Sequence, residues 1–180
     1  MTALVVALAG TDHHPFGRMV DWVDAAAERR PDVRFVVQHG ATRAPRVADG
    51  LDFLTHAALV QLLGEATAVV CHGGPGTIMD AREAGHVPLC IPRDPSLGEH
   101  VDGHQQRFAA LVSEAGVVRY VADRAEFERE LDRALTQSRA TAAQEMAIRT
   151  RDAARAKLAA ELDGLLLAGS RRRGLVRRAS

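Results

Sequence analysis

Five short and almost wholly apolar runs recur along the chain: ALVVALA at 3–9, VRFVVQ at 33–38, TAVVCH at 67–72, VPLCI at 87–91 and GVVRYV at 116–121. Each is valine-rich, too short for a buried helix, and followed by glycine, proline or polar residues, which reads as a strand buried on both faces. Between them lie segments with helical spacing. Residues 18–29 place Met19, Val20, Val23 and Ala27 on one side, and 58–66, 77–84, 104–115 and 124–135 read as further helices. Strands alternating with helices predict a parallel sheet covered on both faces, a Rossmann-like α/β fold. Right-handed crossovers then bring every strand's carboxyl end to one edge, where such sheets hold their ligands. The loops at 10–15, 72–76 and 92–104 are predicted to open there. Residues 41–58 are less regular: Pro45 and Gly50 argue against a single element, and FLTHA at 53–57 reads as a short strand and turn.

A chain of 180 residues is one domain's worth. Its 23 basic and 23 acidic residues cancel, which removes the electrostatic case for a general nucleic-acid binder. Cys71 and Cys90 sit in apolar runs and read as buried free thiols. No secretory signal opens the chain, since Asp12-His13-His14 follow the first apolar run directly, and no run reaches the length of a membrane span. The expected division is a ligand-binding domain at 1–138 and an appendage at 139–180. In the appendage, 139–165 reads as an amphipathic helix that caps the domain, docks on a partner or lies on a membrane surface, and RRRGLVRRAS supplies five arginines.

The stretch HGGPGT at 72–77 carries the chemistry. Gly73, Gly74 and Gly76 permit positive φ angles and close approach of the backbone, Pro75 stiffens the turn, and Thr77 can cap the following helix or donate its hydroxyl. Free amides of the first helical turn, aided by the helix dipole, make an anion site suited to a phosphate or diphosphate. No lysine follows, so this is not the nucleotide-triphosphate loop, and its place after a later strand separates it from the dinucleotide fingerprint. Asp80, one turn further in, suits a ribose diol or is a solvent-facing helix acid. GEHVDGHQ brings Glu99, His100, Asp102, His104 and Gln105 to the same edge, as expected for a polyhydroxylated ligand. A divalent-metal site there ranks lower for want of a clear ligand spacing, and no metal is expected. GTDHHPF at 10–16 adds His13 and His14 as candidates for a general base or for phosphate contacts.

Four patches, GTDHHPFGRMVDWVD, FVVQHGAT, VVCHGGPGTIMDAREAGHVPLCIPR and GEHVDGHQ, occur in an order that resembles the glycosyltransferase family 28 C-terminal domain. That domain is the nucleotide-sugar-binding half of two-domain (GT-B type) glycosyltransferases. Within that group the chain resembles the small free-standing catalytic subunits of the dolichol-linked N-acetylglucosaminyltransferase and of bacterial exopolysaccharide synthesis. The resemblance spans about residues 4–121. It implies that His72, Gly73, Gly74, Gly76 and Thr77 hold a donor diphosphate, that Asp80 holds ribose hydroxyls, and that Gln105 and Gln106 lie near the transferred sugar. It further implies that Gly10 and Thr11 form the first glycine loop at the cleft, and that Arg93 and His100 join the donor site. His13, His14, Glu99 and His104 are the candidate catalytic groups. Where bacterial relatives carry His directly after Gly-Thr, this chain has Asp12. The implied reaction is inverting transfer from a UDP-sugar to a lipid-linked acceptor without a cofactor. A membrane-anchored partner subunit would bind the acceptor and hold this chain at the cytoplasmic face of the membrane. A nucleotide-sugar epimerase and a non-catalytic nucleotide-sugar-binding module are the alternative readings.

Overall fold

The computed structural model describes residues 2–137 together with 141 and 148. The expected appendage at 139–180 therefore lies almost wholly outside the described residues. Six strands form one parallel sheet: β1 (Ala3–Leu8), β2 (Val33–Gln38), β3 (Asp49–Leu51), β4 (Ala68–Cys71), β5 (Leu89–Cys90) and β6 (Arg119–Tyr120), in the order β3-β2-β1-β4-β5-β6. Four helices lie between them, α1 (Gly17–Arg29), α2 (His56–Glu65), α3 (Pro75–Glu83) and α4 (His104–Glu114), and α5 (Arg124–Thr136) follows β6. A 3₁₀ turn at Pro95–Leu97 interrupts the loop after β5.

The strand pattern explains the layers. Along β1, Val5 and Ala7 face one side and meet Met19, Val20 and Val23 of α1 and Phe127 and Leu131 of α5. Leu4, Val6 and Leu8 face the other side with Leu63 of α2 and Ala81 of α3. Farther along the sheet, Cys71, Cys90 and Val118 pack with Ile78 of α3 and Ala109 of α4. A strand with no polar face must be covered twice, and it is. Cys71 and Cys90, register partners on β4 and β5, are buried free thiols.

Three expectations need correction. The short strand expected at 53–57 falls instead at Asp49–Leu51, and Thr55 caps α2 by accepting a hydrogen bond from the Ala58 N–H. The two strands expected at 87–91 and 116–121 shrink to Leu89–Cys90 and Arg119–Tyr120. Pro88 has no N–H to give to a ladder, though its carbonyl accepts from the Arg119 N–H at 2.9 Å. The helix after the glycine loop begins at Pro75 rather than Thr77. Proline's missing N–H costs nothing in a first turn, and its fixed φ suits one.

The order reverses at the β1–β4 junction, since β1 continues through α1 to β2 on one side while β4 and β5 build the other. This is the crevice position in doubly wound sheets. One side chain closes the junction from below. The imidazole of His72, just past β4, is buried and donates from Nδ1 to the Leu8 carbonyl of β1 at 3.3 Å. Burial pushes its pKa from the ordinary 6.5 down to about 4, with the Arg93 cation adding to the shift. The folded state thus holds His72 neutral while the unfolded chain protonates it below about pH 6.5. Stability supplied by this group is complete above pH 6.5 and drains away as pH falls toward 4, by a total on the order of 3 kcal/mol. Urea unfolding between pH 7 and 4 should show this slope, and His72→Asn should flatten it. A wild-type slope unchanged in the variant would assign the effect to another group.

Candidate functional site

A cavity of about 310 Å³ opens at the β1–β4 switch point. Gly10 and Thr11 after β1, Gln38 at the end of β2, and His72 with Gly74, Pro75, Gly76 and Thr77 form its polar wall; Leu8, Phe53, Leu54 and Leu59 form its apolar wall. Of the residues singled out from sequence, Gly10, Thr11, His72, Gly74, Gly76 and Thr77 thus meet in one cavity.

The glycines act differently from the expectation. Gly73, Gly74 and Gly76 all have negative φ. Their role is close approach: a Cβ on Gly73 would stand 2.9 Å from the Gln105 Cβ, and one on Gly74 would overlap the His72 imidazole. At Gly76 nothing lies within 4 Å, so the missing side chain leaves open space in the cavity. The left-handed backbone belongs to Gly10, at φ 83°. There the chain turns off β1, and Gln38 clamps the turn, accepting from the Gly10 N–H and donating to the Gly10 carbonyl, each at 3.1 Å. Gln38, Phe53, Leu54 and Leu59 were not candidates from sequence. The glutamine ends an apolar strand, where an amide has no reason to sit unless it bonds the neighbouring turn, and that was the available signal.

Thr77 does not cap the helix. The cap position is Gly74, with no side-chain bond, and Thr77 is the third residue of α3. The Gly76 and Thr77 N–H groups precede Ile78, whose N–H makes the first intrahelical bond, to the Gly74 carbonyl at 3.2 Å, so both remain available at the cavity wall. With His72 neutral and the helix dipole behind them, they form an anion site that relies on backbone donors.

Beside the cavity, two loops meet. Asp12 Oδ1 accepts from the His14 N–H at 2.7 Å and from His14 Nδ1 at 2.6 Å, while Oδ2 lies 3.2 Å from His100 Nε2. Burial alone would raise the Asp12 pKa, but the two His14 hydrogen bonds and the Arg93 charge outweigh it and hold the carboxyl at about 2. His13 is exposed, its ring centroid 4.1 Å from that of His14. His104 repeats the arrangement with Asp102, whose Oδ1 accepts from the His104 N–H at 2.8 Å and lies 2.6 Å from its Nδ1, but in the open. The His14, His100 and His104 rings follow one another at 5.8 and 4.6 Å.

Arg93 and Glu99 stand elsewhere than the sequence reading put them. Arg93 is fully buried, so it cannot reach a ligand in the cavity. Its guanidinium donates to the carbonyls of Ala9 (2.9 Å), His14 (2.7 Å) and Glu99 (2.9 Å) and lies over the Phe16 ring. Glu99 is buried too, held by Arg18 through both carboxylate oxygens at 3.0 and 2.7 Å and by the Asp94 N–H. Glu99 does not line the cavity, and with three donors on its buried carboxylate it is not placed to move a proton there. Gln105 is buried behind Gly73, its amide oxygen 3.4 Å from the Arg93 N–H, and Gln106 reaches the Asp94 carboxylate. Asp80 is half-buried on α3 and outside the cavity lining. None of His13, His14, His100 and His104 lines the cavity; they border it through Thr11 and Asp12.

Several solved structures share this fold. The glycotransferase of kitacinnamycin matches at TM-score 0.60 and 15% identity over 84% of this chain and 40% of its own. CalG4, the calicheamicin glycosyltransferase, matches at 0.57 and 16% over 92% and 42%. The glycosyltransferase VinC, in complex with DTDP, matches at 0.53 and 20% over 83% and 37%. The chain thus spans less than half the length of each of these structures. No curated protein matches it. The sequence profile of the glycosyltransferase family 28 C-terminal domain matches residues 19–162, from the first turns of α1 past the end of α5, and the chain belongs to that family.

Proposed function

We propose that this chain is the donor-binding subunit of an inverting glycosyltransferase that takes its sugar from a UDP-sugar. The observation that carries the reading is the cavity at the switch point, where the uncapped amides of Gly76 and Thr77 face an apolar wall of Phe53, Leu54 and Leu59. A nucleoside diphosphate has this polarity: an anionic end for the helix and a flat, largely apolar base for the wall. In this reading the amides stabilise the diphosphate as it leaves, when its negative charge grows. The sugar lies toward the Asp12, His14 and His100 cluster, and the acceptor hydroxyl attacks from the open side. We further propose that the acceptor-binding half of the cleft is a separate subunit, as the resemblance to the small free-standing catalytic subunits implies. We assign to it a lipid-linked acceptor and the membrane anchor; among the described residues no helix is long and apolar enough to cross a membrane.

Calorimetric titration of the chain with UDP and DTDP tests the assignment. Gly76→Leu is the informative variant, because its side chain would enter open space in the cavity. Gly76 lies in the first turn of α3 at an ordinary negative φ, so the backbone tolerates a side chain there and melting should not suffer. Nucleotide affinity should fall at least about tenfold as the diphosphate's approach is blocked. Wild-type affinity in a folded Gly76→Leu protein would place the nucleotide elsewhere, and equal affinity for the two nucleotides would remove the uridine preference.

Asp80 is assigned to the ribose diol. A carboxylate accepting from hydroxyls contributes about 1.5–3 kcal/mol, so Asp80→Ala should weaken UDP about tenfold or more and 2'-deoxy-UDP, which keeps only the 3'-hydroxyl, by less. If both nucleotides weaken equally, Asp80 does not read the sugar.

A further inference from the structure

The cluster beside the cavity converges on one carboxylate. Three ring nitrogens from two loops surround Asp12: His14 Nδ1 at 2.6 Å and His13 Nδ1 at 3.8 Å from Oδ1, and His100 Nε2 at 3.2 Å from Oδ2. One ligand atom from each of Asp12, His13 and His14 lies within 4.8 Å of the others. In a tetrahedral site with metal bonds of about 2.0–2.1 Å, neighbouring ligand atoms stand about 3.3 Å apart. The three separations from Asp12 bracket that value, and His100, which lies outside the group of three, reaches the same carboxylate through Oδ2, so the four side chains converge on Asp12. The His100, Asp102 and His104 group next to it offers a similar set, but Asp102 and His104 are about half exposed while His100 and Asp12 are mostly covered.

We propose that Asp12, His13, His14 and His100 form a binding site for one borderline divalent transition cation, of the zinc, cobalt or nickel class. Three imidazoles and one carboxylate suit those ions, whereas magnesium and calcium prefer all-oxygen shells. The supporting frame is rigid. Arg93 ties the loop on both sides of Asp12, through the Ala9 and His14 carbonyls, and ties the second loop through the carbonyl of Glu99, the residue before His100. Such fixed backbone is what a preorganised metal site requires. On binding, the cation takes the place of the hydrogen bonds between Asp12 and the two inner imidazoles, and each neutral ring shifts its one proton to the other nitrogen, His14 to Nε2 and His100 to Nδ1. The change gives up the 3.4 Å contact from the Asp102 N–H to His100 Nδ1, a long hydrogen bond on an exposed loop. The sequence suggested a metal only within GEHVDGHQ, and there without a clear ligand spacing; here the ligands come from two loops, His14 and His100 lying 86 residues apart. The inference is independent of the sugar-transfer reading.

The test uses the untagged full chain, titrated with zinc and with magnesium by calorimetry, and with cobalt by visible absorption, where four-coordinate cobalt has intense d–d bands. The expected result is one equivalent of zinc or cobalt per chain, with no magnesium binding. Asp12→Asn and His100→Gln should each weaken zinc at least about tenfold, the scale on which even supporting residues of metal sites act. His104→Gln should leave zinc binding unchanged. Melting curves establish that each variant is folded. If Asp12→Asn does not fold, His13→Gln decides, because that side chain is 85% exposed and its loss cannot disturb the core. The proposal is overturned by a lack of saturable zinc or cobalt binding to the wild-type chain. It is also overturned by full affinity in folded Asp12→Asn or His13→Gln, or by loss of binding in His104→Gln, which would move the ion to the neighbouring group.

Discussion

The carboxyl edge of this sheet depends on one buried cation. Arg93 is removed from solvent, yet among the described residues no carboxylate pairs with it directly. Its terminal nitrogens bond the carbonyls of Ala9, His14 and Glu99, which belong to the two loops flanking the cavity, and its Nε has no hydrogen-bond partner. A buried guanidinium left unsatisfied is costly, so the loops are drawn to the geometry that gives it acceptors. Burial lowers its pKa, and the nearby charges of Asp12 and Glu99 oppose that shift. Phe16 lies under its plane, with the Phe16 N–H bonded to the Thr42 hydroxyl at 2.8 Å. The same side chain thus links the first loop, the start of α1 and the loop after β5.

Arg93 also shows where reading a sequence stops. An arginine at a strand end, near a glycine loop, has the composition of a phosphate ligand, and Glu99 in a polar loop has that of a catalytic acid. What moved both of them was burial, and burial of a polar residue is decided by partners distant in sequence. Arg18 lies 81 residues from Glu99, and Ala9 lies 84 from Arg93. No local pattern encodes those pairs. The apolar runs behaved otherwise. A strand covered on two faces must be apolar at nearly every position, so β1 and β4, and β2 apart from its exposed Arg34 and terminal Gln38, were legible within a residue or so at either end. The edge strand β3 was not, because Asp49, Gly50 and Leu51 are all exposed and carry no such constraint.

The glycine loop was legible in place but less so in mechanism. Its residues were expected to need positive φ, whereas they need room. Gly73 admits the Gln105 stem, Gly74 admits the His72 ring, and Gly76 admits nothing from the protein itself. The first two contacts pack the loop against its surroundings. Only the third leaves a vacancy, and it falls in the cavity wall next to the uncapped amides of α3. A packing reason accounts for two glycines, so the anion-binding argument rests chiefly on Gly76.

The wall of the cavity therefore carries its positive potential without an exposed cation. His72 is held neutral by burial, and Arg93 lies behind the wall with its donors spent on carbonyls. What faces the opening is a set of peptide dipoles and, at longer range, the field of a cation that water cannot reach. A buried charge is screened less than a surface one, so its influence on a bound anion persists at ionic strengths that would mask a surface lysine. Backbone amides, unlike a flexible lysine, need no reordering when charge develops on a leaving group. The carboxylate of Asp12 limits this field on the side of the histidine cluster, held ionised by His14 and by Arg93 itself. The edge is thus divided into a region that favours an anion, at the start of α3, and a region that favours a cation or a proton donor, at Asp12. A donor sugar bound at the first would present its reacting carbon toward the second, and the acceptor-binding half of the proposed cleft would have to close over both.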